Sequence, residues 1–304
     1  FILTHINMPG VGKYKDVGKK AKDLLKDNFD VTGNNALKVV NKTANGVEFT
    51  TEGKIGGAWS SSLKFSPADG VTVKKFKADT KGRFYGEATL DDAFVKGLQF
   101  SINFEDGANA GSNKPKALVG LTYGTDDFHL AADGDFANVD ATVLNTAVNV
   151  NVPVDGLTAG ATFSFNTTSS SLDSYATRFD YAASDMTFTA ESGAGLGNTN
   201  FSVFHKYDAD TNVAATVCAN RGLGNVLGLA EAKGDASTKM TIGATSQLDK
   251  DSSIGAKIDC CNNLGLFYTQ KMNSSVSLTA AAKIDVGKWT SNDGHSAGLK
   301  FTFK

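Results

Sequence analysis

From about residue 34 to the C-terminus the chain alternates apolar and polar residues with a period of two, and this alternation limits the fold more than any other feature. Between Val276 and Val286 the even positions are Val276, Leu278, Ala280, Ala282, Ile284 and Val286. The odd positions are Ser277, Thr279, Ala281, Lys283 and Asp285. Leu98, Phe100, Ile102 and Phe104 alternate in the same way with Gln99, Ser101, Asn103 and Glu105. So do Leu157, Ala159, Ala161, Phe163 and Phe165 with their polar neighbours. Successive side chains of a strand leave opposite faces, so each segment reads as a strand with one apolar and one polar face. Turn clusters such as Ala68-Asp69-Gly70, Asp106-Gly107 and Asp293-Gly294 separate them. The segments run to roughly 8–11 residues, against a mode of about 5–6 in soluble proteins and the roughly 9–11 that a tilted strand needs to cross a bilayer.

Uniform alternation with no intervening amphipathic helix predicts a single antiparallel meander, and closing it removes the edges that invite aggregation. The 32 glycines, 20 phenylalanines and only 4 prolines suit many strands joined by tight turns. Residues 34–304 supply about 19 strands at about 14 residues per strand and turn. A barrel that wide cannot be filled by side chains. Its apolar face therefore belongs outside, against lipid, and its polar face lines a wet lumen. Two smaller soluble β domains with inward apolar faces are the alternative that alternation alone leaves open. No run reaches the roughly 18 apolar residues of a membrane helix, which says nothing about a barrel. A net charge of -2 offers no general basic surface for nucleic acid.

Residues 11–27 break the pattern. Val11, Tyr14, Val17, Ala21, Leu24 and Leu25 recur at helical spacing, while Lys13, Lys15, Lys19, Lys20, Lys22 and Lys26 occupy the other face. Gly18 interrupts this helix at a cost of about 1 kcal/mol relative to Ala, so a bend is expected there. Pro9-Gly10 and Thr32-Gly33 bracket the segment. The reading divides the chain into residues 1–33, an N-terminal segment with a pore helix, and residues 34–304, a transmembrane β-barrel. In that reading the apolar stripe lies on the barrel wall and the lysines face water. A helix on the membrane surface and a basic targeting segment are the competing readings. The chain opens with Phe1 in place of Met, so a missing N-terminus is expected; what is present has no signal-peptide pattern.

Nothing points to catalysis. His5, His129, His205 and His295 form no HxxxH or HExxH pair, and no nucleophile–base or paired-carboxylate arrangement stands out. Gly193-Ala-Gly-Leu-Gly197 and Gly222-Leu-Gly224 lack the βαβ context of a phosphate loop. Of the three cysteines, Cys218, Cys260 and Cys261, the adjacent pair placed in a strand faces opposite sides, which argues against a paired redox role. No cofactor, metal or enzymatic activity is expected.

Several stretches resemble mitochondrial porin, the voltage-dependent anion channel family. Tyr14-Lys-Asp-Val-Gly-Lys-Lys-Ala-Lys-Asp-Leu-Leu-Lys26 is similar to the family's N-terminal helix, and Asn45-Gly-Val-Glu-Phe-Thr50 to its first hairpin. The run Gln247–Gln270 resembles its late strands, and Lys283-Ile-Asp-Val-Gly-Lys288 with Gly294-His-Ser-Ala-Gly-Leu-Lys-Phe301 its last hairpin. Ser296, Gly298, Phe301 and Phe303 fit the sorting signal of mitochondrial outer-membrane barrels. The resemblance implies a 19-stranded barrel whose first and last strands pair in parallel, a helix in the lumen, and passive, weakly anion-selective, voltage-sensitive exchange of metabolites. The implied solutes are ATP, ADP, phosphate, organic anions and small ions. Lys19 and Lys22 fall on basic helix positions that the family uses to attract anions, and Lys114 and Lys116 near its wall lysines. The implied surroundings are membrane lipids, with a homo-oligomer or other mitochondrial membrane complexes as partners. Three departures stand out. Asp27-Asn-Phe-Asp-Val-Thr-Gly33 replaces a glycine-rich hinge, Lys75 aligns with a membrane-facing glutamate, and the chain is slightly acidic where many members are basic. A protein-import barrel of the same membrane shares the fold and is the rival function; a soluble β-rich binding protein is the third reading.

Overall fold

The computed structural model describes residues 12–33, 35–92, 94–106, 115–137, 142–222, 237–288 and 294–304. Nineteen strands form one closed sheet. The first nine are β1 (Ala36–Lys42), β2 (Glu48–Lys54), β3 (Trp59–Ala68), β4 (Val71–Asp79), β5 (Phe84–Asp91), β6 (Leu98–Glu105), β7 (Lys116–Gly124), β8 (Phe128–Asp135) and β9 (Val143–Asn151). Five more follow as β10 (Leu157–Asn166), β11 (Ser171–Ala183), β12 (Met186–Ser192), β13 (Thr199–Lys206) and β14 (Thr211–Ala219). The last five are β15 (Thr238–Gln247), β16 (Ser252–Asp259), β17 (Asn263–Lys271), β18 (Val276–Asp285) and β19 (Ser296–Phe303). Sequential neighbours pair antiparallel, as short turns demand. The exception is the seam, where β1 pairs with β19 in parallel, Leu37 opposite Phe301 and Val39 opposite Phe303. An odd number of strands forces that parallel pair, because the first and last strands of an odd meander run the same way. The single closed sheet excludes two separate β domains.

The registers fix which side chain goes where. Leu98, Phe100, Ile102 and Phe104 share a face with Val119 and Leu121 of β7, whereas Gln99, Ser101 and Asn103 share the other with Thr122 and Gly120. The apolar face looks outward: Ile102 is 58% and Phe201 56% exposed, and dozens of large apolar side chains share that surface. So large an apolar patch belongs against hydrocarbon. In regular register no Asp, Glu, Lys or Arg of the described strands takes the outward phase; Lys74 and Asp173 sit at β-bulges. The bulge between Val73 and Lys75 also resets the phase of β4. Lys75 therefore stands on the lumen side, opposite Glu87, with its Nζ 6.0 Å from the Tyr85 ring. The position that resemblance assigns to a membrane-facing carboxylate is thus an inward lysine in this chain.

Residues 12–33 of the N-terminal segment lie inside the barrel, and their helix is shorter than the spacing suggests. A 3₁₀ turn covers Tyr14–Asp16, and the helix α1 covers only Lys19–Lys26. Between them Gly18 adopts φ 68°, a left-handed conformation that breaks the helix and that a side chain resists. Cys260 and Cys261 lie past the end of β16, in the turn before β17, and not in a strand as their neighbourhood suggested.

Candidate functional site

The lumen and the segment lying in it form the site. α1 rests on β13, β14 and β15, and the following 3₁₀ turn, Phe29–Val31, rests on β17, β18 and β19. Ala21, Leu24 and Leu25 pack on Ala214, with Phe204 beside them. Phe29 and Val31 pack on Phe267 and Ala281, the Phe29 and Phe267 rings meeting edge to face at 4.9 Å. The wall is cut away to receive them. A Cβ on Gly243 would stand 2.8 Å from Leu25 Cδ2, and one on Gly160 2.7 Å from Tyr14 Cδ2. Real Cβ atoms essentially never come so close, so a side chain at either position would force Leu25 or the Tyr14 ring to shift from its seat.

Polar contacts pin the segment at both ends. Asn149 Nδ2 donates to Gly12 O at 2.8 Å, and Lys13 Nζ donates to Gln99 Oε1 at 3.2 Å. Arg178 is the hub of the middle. Its Nη1 donates to Tyr14 O at 2.9 Å, its guanidinium lies 4.3 Å from the centre of the Tyr14 ring, and its Nη2 meets Glu191 Oε1 at 2.5 Å. The other oxygen of Glu191 accepts from Lys22 Nζ at 2.7 Å. At the far end Lys257 Nζ donates to Leu25 O at 2.6 Å and sits 4.4 Å from the Phe29 ring centre. A cation there satisfies a carbonyl that the helix leaves open and meets the negative end of its dipole. Burial, and next the nearby Lys74 ammonium, hold Lys13 below the usual lysine range. Burial pushes the Tyr14 phenol up.

Val17, Ala21, Leu24 and Leu25 are buried and Tyr14 half-buried; Val11 lies outside the described residues. Lys15, Lys19, Lys20, Lys22 and Lys26 are exposed to the lumen, and Lys13 is half-buried. Lys19 stands 3.8 Å from Asp23, and Lys20 lies 5.9 Å from the Phe204 ring centre. Lys22 differs, since Glu191 holds it to the wall. Lys116 is exposed on the inward face of β7, opposite Glu105, and Lys114 lies outside the described residues. Ser296 and Gly298 take the inward phase of β19, and Phe301 and Phe303 the outward one, so these four straddle the wall and do not gather at one point. Arg178, Glu191, Lys257 and Asn149 escaped the sequence reading. Each stands on the polar phase of a strand, but only the register and the path of the N-terminal segment bring them together.

Comparison with known proteins agrees with this architecture. The voltage-dependent anion-selective channel of Drosophila melanogaster is 27% identical over 293 residues, covering 94% of this chain and 96% of its own. The Xenopus laevis non-selective voltage-gated ion channel VDAC2 is 28% identical over 297 residues, covering 94% and 96%. The Rattus norvegicus non-selective voltage-gated ion channel VDAC1 is 25% identical over 301 residues, covering 96% and 98%. The eukaryotic porin family pattern matches residues 10–298. With a closed barrel, a seated N-terminal segment and a family match over nearly its whole length, the chain belongs to the eukaryotic porins.

Proposed function

We propose that this protein is a channel of the mitochondrial outer membrane for passive, weakly anion-selective, voltage-sensitive diffusion of ATP, ADP, phosphate, organic anions and small ions. The observation that carries the reading is the lumen itself: the regular strand charges point into it, and a lysine-rich segment lies against its wall. In this reading residues 1–33 form the pore element and residues 34–304 the barrel. Ser296, Gly298, Phe301 and Phe303 serve as its sorting signal. Membrane lipids surround it, and copies of itself or other mitochondrial membrane complexes are its partners.

A lumen this wide selects by size and mean field, not by stripping water from ions. Lysines act on passing solutes within a Debye length of about 8 Å at physiological salt. Lys15, Lys19, Lys20 and Lys26 are exposed on a segment that lies against the lumen wall, so their field acts on solutes passing beside it. A multivalent nucleotide feels that field more than chloride does. Closure under voltage draws on about 2.3 kcal/mol per charge per 100 mV. The test is reconstitution in a planar bilayer. Stepwise conductance that falls at high voltage is expected, with a lower anion-over-cation permeability for the Lys19→Glu, Lys20→Glu variant. Absence of conductance refutes the channel, and an unchanged reversal potential under a salt gradient refutes the role of the segment.

A further inference from the structure

The turn between β16 and β17 carries two adjacent thiols for which the pore has no use. Cys260 and Cys261 are its central residues: Asp259 O accepts Asn262 N–H at 3.1 Å, and Asn262 takes the left-handed region at φ 61°. A tight hairpin turn of this kind ends the strand phase, so the rule that sends adjacent side chains to opposite faces no longer holds there. Both thiols are exposed.

The scaffold beneath them is fixed. Asp259 Oδ1 accepts Cys261 N–H at 2.8 Å and Asn263 N–H at 3.0 Å, and Asn263 Nδ2 donates to both oxygens of the same carboxylate. Asn262 O accepts Val286 N–H at 2.8 Å, which ties the turn to the end of β18. Cys260 is anchored to β15. Its N–H donates to Met240 O at 2.9 Å, while its Sγ accepts Met240 N–H at 3.4 Å and lies 3.9 Å from Thr238 O. A hydrogen bond with Cys260, and next the charges of Cys260 and Asp259, push the Cys261 thiol up. The two sulfurs thus stand on one side of the turn, within reach of each other.

A direct bond between them fits this turn poorly. The intervening peptide is trans, and Cα atoms across a trans peptide are about 3.8 Å apart. An ordinary disulfide spans about 4.4–6.8 Å, and departures from that geometry are strained and easily reduced. The pair suits an atom that bonds both sulfurs and holds them farther apart than a disulfide does. Zinc and iron–sulfur clusters take three or four protein ligands. Among the described residues no group of three or more His, Cys, Asp or Glu side chains could hold a metal ion. Trivalent arsenic needs only two thiols when its third valence carries an organic group. Cys218 stands apart, opposite Lys239 and two strands from β16, about 10 Å away at about 4.8 Å per strand.

The geometry points to a two-thiol clamp for a trivalent organoarsenical, with Cys260 and Cys261 each supplying one sulfur. With an arsenoso group, R–As=O, two As–S bonds form and the As=O bond breaks. The oxygen leaves as water with the two thiol protons; arsenic stays trivalent, and no oxidant or reductant takes part. The clamp is independent of the channel reading.

The test uses the whole reduced protein in detergent micelles, with phenylarsine oxide as the probe. One equivalent should add with loss of one water by intact mass, and the maleimide-reactive thiols should fall from three to one. Because the second As–S bond forms within one molecule, the adduct should withstand excess glutathione and come off with 2,3-dimercaptopropanol. Cys260→Ser and Cys261→Ser should each release the arsenical at about a hundredfold lower glutathione concentration, and Cys218→Ser should retain it. Equal retention in Cys260→Ser or Cys261→Ser, or loss in Cys218→Ser, overturns the clamp. Adducts on the unaltered protein that glutathione strips, or a Cys260–Cys261 disulfide that persists in reduced glutathione, overturn it without recourse to a variant.

Discussion

Replacing Leu25 by Ala should loosen the N-terminal segment without harming the barrel. Leu25 is 8% exposed and fills the space left by the missing side chain of Gly243. Truncating a buried Leu to Ala costs about 2–5 kcal/mol. The low part of that range, about 2–3 kcal/mol, applies here because water from the lumen can enter the vacated space. At about 1.4 kcal/mol per factor of ten, the undocked-to-docked ratio rises about 30- to 140-fold. The assay is trypsin cleavage after Lys19, Lys20, Lys22 and Lys26 in protein reconstituted into liposomes. Cleavage follows the undocked population when docking is fast relative to proteolysis. Far-UV circular dichroism reports whether the strands persist. An intact barrel whose cleavage rate stays within about twofold of the unaltered protein would refute the assignment of the seat.

Glu191→Gln should have a related effect by a different route, since Arg178 and Lys22 then lack their shared anion; cleavage of the segment rises about tenfold or more, and rescue by Glu191→Asp separates charge from packing. On the outer face, Leu266→Lys should destabilise the inserted barrel by about 2–4 kcal/mol, whereas Thr269→Lys on the inward phase of the same strand should cost under about 1 kcal/mol, both read from urea unfolding in bilayers. At the turn before β16, the Asp249 carboxylate accepts Ser252 Oγ–H at 2.6 Å and Asp251 N–H at 2.7 Å, which hold its pKa below the usual aspartate value. A depressed folded pKa contributes stability above the ordinary aspartate range and loses it as pH falls through the lower folded value. Amide exchange at Asp251 should therefore accelerate only below that ordinary range, and at a higher pH in Ser252→Ala; identical pH profiles in the two proteins would rule this out.

The barrel was legible because its defining property is local. Period-two alternation needs no partner to be recognised, and residues such as Leu278, Ala280 and Ala282 take the face that their spacing assigns them. The strand total followed from chain length, and the parallel seam from resemblance, since β1 and β19 lie at opposite ends of the sequence. The N-terminal segment was legible in outline, because Ala21, Leu24 and Leu25 share one helical face. Its interruption was only half legible. Gly18 marked a weak point, but the left-handed turn there depends on a wall in which Thr189 Cγ2 stands 2.9 Å from where a Cβ would be. The contacts of Arg178, Glu191 and Lys257 were not legible, because they join residues far apart in sequence through a curved wall. The inward turn of Lys75 was hidden for another reason: a bulge breaks the alternation on which the phase is read. Cys260 and Cys261 were misplaced because the apolar–polar rhythm of Ile254, Ala256 and Ile258 gives no sign of where the strand stops.

The direction in which the alternating faces point is open to direct measurement. With Cys218, Cys260 and Cys261 replaced by Ser, single cysteines are placed in turn at positions 99–104 of β6, and each protein is reconstituted into sealed liposomes. A charged, membrane-impermeant thiol reagent should modify the substitutions at Gln99, Ser101 and Asn103 and spare those at Phe100, Ile102 and Phe104. The opposite phase, or uniform labelling along the strand, would contradict a wet lumen enclosed by a lipid-facing apolar wall.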